Sequence, residues 1–164
     1  MEDRVSFLMT RCAAIGATLL GGLVAGFSMN RMLVELPTWK MLGVSQWAQF
    51  AHAELGRGLW IYPLEGLAAL ALTVAAAVCC YFDASSQRSA ALPLYVAALA
   101  AVLAFGVTRF LIAPHVLNLG EHSTDYGVMR NALEQTERWW QVKTGLHLLT
   151  FVCNLWGVVK VVVN

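Results

Sequence analysis

Charge is distributed so unevenly along the 164 residues that the chain divides itself into apolar and polar segments. Asp, Glu, Lys and Arg are absent from residues 12–30, 66–82, 89–108 and 144–159. Each run approaches the roughly 20 apolar residues that a helix needs to cross a bilayer. The second extends back past Glu65 to Leu59, the third runs on past Arg109 to Ala113, and the fourth passes Lys160 to reach Val163. The pattern predicts an all-α, polytopic bundle of four transmembrane helices at 12–30, 59–82, 89–113 and 144–163, in one domain covering 1–164. A cleaved leader is the other reading of the first run, with Arg4 and Arg11 ahead of it. Its length and the three spans that follow argue for a helix that stays.

The connections set the arrangement of the spans. Residues 83–88 make a short polar turn, whereas the stretches from 31 to 58 and from 109 to 143 are long and fall on one membrane face. Two helical hairpins result, and interfacial helices are expected inside the long connections at 45–55 and 127–140. Trp39, Trp47, Trp60, Trp139 and Trp140 gather at that end, as in the aromatic belt of a lipid interface. The two long stretches also begin alike, Arg31-Met-Leu-Val-Glu-Leu-Pro37 against Arg109-Phe-Leu-Ile-Ala-Pro114. A duplicated hairpin would relate them by a pseudo-twofold along the membrane normal, and a chance match is the alternative. In the first span Ala14, Thr18, Gly22, Gly26 and Asn30 recur every four residues. Gly22-Leu-Val-Ala-Gly26 has the small-xxx-small spacing at which membrane helices approach closely, within one chain or across a dimer seam.

Composition narrows the class. At 59% hydrophobic and 13% charged, with mean hydropathy +0.62, the chain is no soluble globule. Eleven Lys and Arg against ten Asp and Glu leave a net charge of +1 and no basic run, which excludes a nucleic-acid partner held by charge. Orientation is left open. More cations lie on the long-connection side, but they are spread over more residues than Arg4, Arg11, Arg88 and Lys160 on the other.

The chemistry-bearing residues cluster at the long-connection end: His52, His115, His122 and His147, with Glu35, Glu54, Glu65, Glu121 and Asp125. Imidazole and carboxylate are the ligands of iron, copper and zinc, so His115, His147 and His52 are the candidate metal ligands. No Glu-x-x-His, His-x-x-x-His or Cys-x-x-Cys spacing accompanies them. His147 and Asn154, seven residues apart in the fourth span, share a face that should point into the bundle. Glu65 and Arg109 lie at comparable depth, and a charge in hydrocarbon costs at least ~2.5 kcal/mol, so each should find a partner or line a hydrated cavity. Pairing with one another is the economical solution, and Arg109 reaching up to the interface is the alternative. His147, Glu65 and Arg109 are the candidate catalytic residues. The cysteines, with Cys79 and Cys80 adjacent, suggest neither disulfides nor a thiol redox site.

The layout resembles the anthrone-oxygenase-like family of small four-helix membrane proteins. The resemblance rests on Gly21-Gly-Leu-Val-Ala-Gly26 leading to Pro37, on Pro114-His-Val-Leu-Asn118 after the third span, and on Arg138-Trp-Trp140 before the His-bearing fourth span. It implies oxidation by molecular oxygen of a hydrophobic aromatic or lipid-like substrate at a membrane-embedded site, in a bacterial inner membrane. Iron, copper or haem is the cofactor to be looked for, with His115 and His147 as an axial pair for haem. The competing reading is a non-catalytic subunit or metal-holding anchor, which would pack through Gly22 and Gly26 against a second copy or a larger membrane complex.

Overall fold

The computed structural model describes residues 2–58, 61–82, 88–118 and 125–163, and all of its elements there are helical. Helix α1 (Glu2–Asn30) runs through a π-helical turn (Arg31–Glu35) into α2 (Leu36–Leu42). The chain then breaks at Gly43, whose φ of 94° lies in the left-handed region that favours glycine, and α3 (Val44–Gly58) follows. Next come α4 (Ile61–Phe82) and α5 (Arg88–Gly106), a second π turn (Val107–Ile112), α6 (Ala113–Asn118) and α7 (Tyr126–Val163).

Four helical stretches, Phe7–Leu42, Leu64–Phe82, Ala90–Leu117 and Tyr126–Val162, are long and apolar enough to cross a membrane. The protein is a multi-pass membrane protein with an all-α four-helix bundle. Helix α1 packs on α4 and α7, and α5 packs on the same two, so the helices form a ring in which α1 faces α5 and α4 faces α7. The arginine of the short-connection end ties the ring shut: Arg11 donates from Nε and one Nη to the Val161 carbonyl, at 3.2 and 3.1 Å. A cation on the last carbonyls of a helix complements its dipole.

Two expectations about the long connections need correction. The first span does not end at residue 30, because the helix continues to Leu42. Nor is 127–140 a separate interfacial helix. It is the first part of the 38-residue α7, at 1.5 Å per residue about 57 Å long and so longer than the ~30 Å hydrocarbon core. Asp125 starts that helix, its Oδ1 accepting from the amides of Gly127 at 2.8 Å and Val128 at 3.2 Å. A helix does form over 45–55, as part of α3. Polar residues 83–87 of the short turn, and Trp60, lie outside the described residues.

Packing differs between the two halves of the bundle. Toward the short-connection end Ala14 and Ala17 of α1, Ala76, Ala77 and Cys80 of α4, and Leu94 of α5 form a close-packed seam, with Val158 of α7 against it. Large apolar side chains, among them Leu19, Leu23, Leu99 and Trp156, point outward. Small residues inside and large ones outside is the pattern of helices that pack by van der Waals contact in lipid. Beyond the other end a cap forms from Leu36, Trp39, Trp47 and Ala48 against Met129, Ala132 and Leu133 of α7. Lys40 Nζ donates to Glu137 Oε1 at 2.6 Å beside it. Trp39 and Trp47 are therefore core of this cap rather than members of a lipid-facing belt.

The stripe of small residues on α1 is displaced from the one expected. The buried positions are Ala14, Ala17, Gly21, Ala25 and Ser28, whereas Gly26 and Asn30 are exposed. A row of every fourth residue drifts about 40° per step around a helix with 3.6 residues per turn, whereas alternating steps of three and four stay on one face. Gly22 is spent inside the molecule: a Cβ there would meet Phe151 of α7 at 3.0 Å.

The seam is tightest at Gly157, where a Cβ would stand 2.6 Å from Leu94 Cδ2 and 2.9 Å from its Cγ. Leu94 is fully buried and has no room to turn away. Gly157→Ala should destabilise the folded protein by about 1–3 kcal/mol, as overpacking does. The same change at Gly145, where a Cβ would meet nothing within 4 Å, should be neutral or slightly stabilising. Thermal unfolding of both variants in detergent measures the difference.

Candidate functional site

Above the seam the four helices part around a cavity of about 480 Å³. At this level two of the helices each carry a π turn followed by a proline. Pro37 and Pro114 each stand second in a short helix that directly follows a π turn. Proline has no N–H to give to the preceding turn, and its ring clashes with the carbonyl four residues back. One wider turn removes the clash, at the cost of pushing the helix wall outward. The matching sequences Arg31 to Pro37 and Arg109 to Pro114 thus adopt the same conformation in two helices that face each other across the ring. Both π turns pack on α7, while α4 packs on α1 and α5. Glu65 of α4 is exposed and lies on the cavity wall.

The lower wall is apolar, with Val24, Phe27, Leu67, Leu70, Ala101 and Phe105. Its floor is polar but closed. Asn154, fully buried, donates from Nδ2 to Thr73 Oγ1 at 3.2 Å, joining α7 to α4 across the ring. Thr73 and Thr150 also donate back to the carbonyls of Ala69 and Leu146, at 2.8 and 2.9 Å. Asn154 Oδ1 has no hydrogen-bond partner among the described residues.

The upper wall carries the titratable groups. His147 Nδ1 lies 2.6 Å from Ser28 Oγ, and the Thr144 hydroxyl donates to the Ser28 carbonyl at 3.3 Å, so one serine is held by two residues of α7. Glu35 accepts from Asn30 Nδ2 at 3.0 Å on one oxygen and faces Arg31 Nε at 3.4 Å on the other. The Arg31 guanidinium sits 4.7 Å from the Trp140 ring centroid and 5.2 Å from that of Trp39. Lys143 Nζ lies 4.1 Å from the Trp140 centroid. One indole therefore draws two cations to the top of the cavity.

Of the residues singled out from the sequence, His147, Glu65 and Arg109 line this cavity together. The inward face shared by His147 and Asn154 is as expected. The expected pairing of Glu65 with Arg109 is not formed: both are exposed and no ion pair joins them, Arg109 lying instead 5.9 Å from the Phe110 centroid. His115 rides on α6, half-buried and away from the cavity wall. The His52 side chain and all of His122 lie outside the described residues. Among the described residues no three of His, Cys, Asp and Glu come together. The donors on the cavity wall are one imidazole bonded to a serine, the Glu35 carboxylate already engaged by Arg31 and Asn30, and the Glu65 carboxylate. They do not come together as a ligand set for iron or copper or supply a pair of imidazoles for haem.

Ser28, Arg31, Glu35 and Lys143 complete the site and were not singled out as site residues from the sequence. Arg31 and Glu35 form an i, i+4 pair at the end of the first apolar run, and Lys143 precedes His147 by one turn. Those spacings were the available signal. No protein-family model matches the chain, and neither does any curated protein or solved structure.

Since Glu65 and Arg109 each reach the cavity separately, removing their charges should have independent effects. In a double-mutant cycle with Glu65→Gln and Arg109→Met, stability changes should add to within about 0.5 kcal/mol. A coupling above about 1 kcal/mol, read from unfolding midpoints in detergent, would mean that the two are partners.

Proposed function

We propose that this membrane protein binds a hydrophobic aromatic or lipid-like molecule in the cavity, head group toward the Trp140 end, and acts on it as an oxygenase-like oxidoreductase. The single observation that carries the reading is the His147–Ser28 pair, set into the wall of a largely apolar cavity at membrane depth. The cavity volume falls in the range of small-molecule sites, and apolar walls with a few converging polar groups are their usual form. The resemblance to the anthrone-oxygenase-like family supplies the reaction class, and its bacterial members suggest an inner-membrane location.

The chain's own residues supply binding and proton handling. Ser28 occupies Nδ1 of His147, which leaves Nε2 as the nitrogen that meets a ligand. When Nδ1 carries the proton and donates to Ser28, Nε2 is a base, with its ring orientation fixed by that bond. A base so placed removes a proton from a phenolic or enolisable head and leaves an electron-rich anion, the form of such molecules that reacts with molecular oxygen. Arg109 and Lys143 stand where that negative charge develops. Val24, Phe27 and Phe105 hold the apolar body and keep bulk water from the lower cavity.

Oxygen uptake by the protein in lipid nanodiscs, with tricyclic phenols and anthrones as substrates, tests the proposal. His147→Gln should lower turnover about 10²-fold or more, the usual contribution of a general base, and leave ligand binding within a few-fold. Uptake no faster than with empty nanodiscs, or unchanged turnover in His147→Gln, would overturn the catalytic reading. Loss of thermal stability alone, equal in His147→Gln and His147→Ala, would make His147 a packing residue.

A further inference from the structure

The cations of the cavity are not all answered by carboxylates of their own. Glu35 is spent on Arg31 and Asn30. Arg109 is exposed at the π turn of the third span, beside Phe110. Lys143 is different. It is half-buried, its ammonium lies 4.1 Å from the Trp140 centroid, and among the described residues no carboxylate comes within ion-pair distance of it. An ammonium withdrawn from water and held on an aromatic face still has N–H donors to satisfy. The Arg31 guanidinium, itself paired with Glu35, stands on the same indole.

The unanswered charge lies beside the groups already placed on the ligand's head. Lys143 precedes His147 by four residues on α7, so the two side chains share a face about one helical turn apart, with Ser28 against the imidazole. Below them the wall is apolar down to the floor at Thr73. Phe27, Leu67 and Phe105 line the chamber and are also exposed on three different apolar spans, so the chamber lies within the membrane-spanning part of the bundle. With Arg31, Arg109 and Lys143 against Glu35 and Glu65, the wall carries one positive charge in excess, and that excess above an apolar chamber is complementary to one kind of molecule. We infer that the cavity takes a bilayer-soluble monoanion, an apolar body ending in one oxyanion, and seats the oxyanion on Lys143 beside the His147–Ser28 pair. This rests on the cavity being a site for hydrophobic molecules and requires no chemistry to occur there. A long-chain carboxylate and a ring phenolate both present such an oxyanion.

In a chain whose Trp60, Trp139 and outward-facing Trp156 are replaced by Phe, saturable quenching of tryptophan fluorescence by bromine-labelled probes reads occupancy beside Trp140. The full chain, in nanodiscs of zwitterionic lipid at neutral pH, is titrated with dibromostearic acid, dibromostearyl alcohol, a bromonitronaphthol acidic enough to be ionised at that pH, and the methyl ether of that naphthol. At least one anion should saturate the quenching at a mole fraction about tenfold or more below its neutral partner, the usual worth of a charge-assisted hydrogen bond. Preference for the fatty acid identifies a lipid source, and preference for the naphtholate a ring system. Lys143→Met should remove the preference and leave binding of the neutral probe unchanged, whereas Lys143→Arg should retain most of it. Equal affinity of anion and neutral partner with Lys143 in place, or a preference that survives Lys143→Met, would overturn this inference alone. No saturable quenching by any of the four would overturn the binding reading as well.

Discussion

Two prolines at matching places in facing helices decide how this bundle is built. Pro37 and Pro114 each follow directly on a π turn, and both turns fall at the same end of the ring. A regular four-helix bundle of alanines and glycines would close along its whole length, because in lipid the closest backbone approach gives the best packing. Here it closes only in the half that holds Ala14, Ala17, Ala76, Ala77 and Leu94. The widened half has a chamber about 480 Å³ in volume, and every titratable residue of the candidate site lines it.

An opened bundle needs other ties, and α7 provides them at three heights. At the floor Asn154 reaches Thr73 of the facing helix. At the wall Thr144 and His147 both engage Ser28 of α1. Above the chamber the long first part of α7 packs its Met129, Ala132 and Leu133 on the tryptophans of α2 and α3. These ties let the chamber persist without collapsing, since Asn154 Nδ2, Thr144 and His147 each have a specific partner on another helix and no equivalent one if the helices slide. The same bonds position the chemistry: Ser28 both joins two helices and orients the imidazole.

The spans and the all-α bundle were legible in the sequence because charge is excluded from hydrocarbon, a constraint strong enough to act residue by residue. The inward aim of His147 and Asn154 followed from helical periodicity in the same way. Helix ends were harder. Arg31 and Lys143 look like the polar margins of spans, yet the helices run on past both, and cations on Trp140 sit at the chamber rather than in a loop. The repeated Arg-to-Pro stretch was visible as a pattern, but a π turn depends on how a proline's clash is relieved in three dimensions, which composition does not encode. The expected ion pair of Glu65 and Arg109 failed for a related reason. Equal depth in a closed bundle would have forced them together, and the chamber gives each an open wall instead.

The central claim is that one bundle is open above and dry below, and reactivity of single cysteines measures it most directly. In a background with Cys12, Cys79, Cys80 and Cys153 replaced, Thr108→Cys on the chamber wall is compared with Ala97→Cys, fully buried three turns away in the same span. A small water-soluble methanethiosulfonate should label residue 108 at least tenfold faster than residue 97, a margin expected when one thiol is accessible and the other sealed. Equal protection at both positions would contradict an open chamber, and equal labelling would contradict a sealed seam.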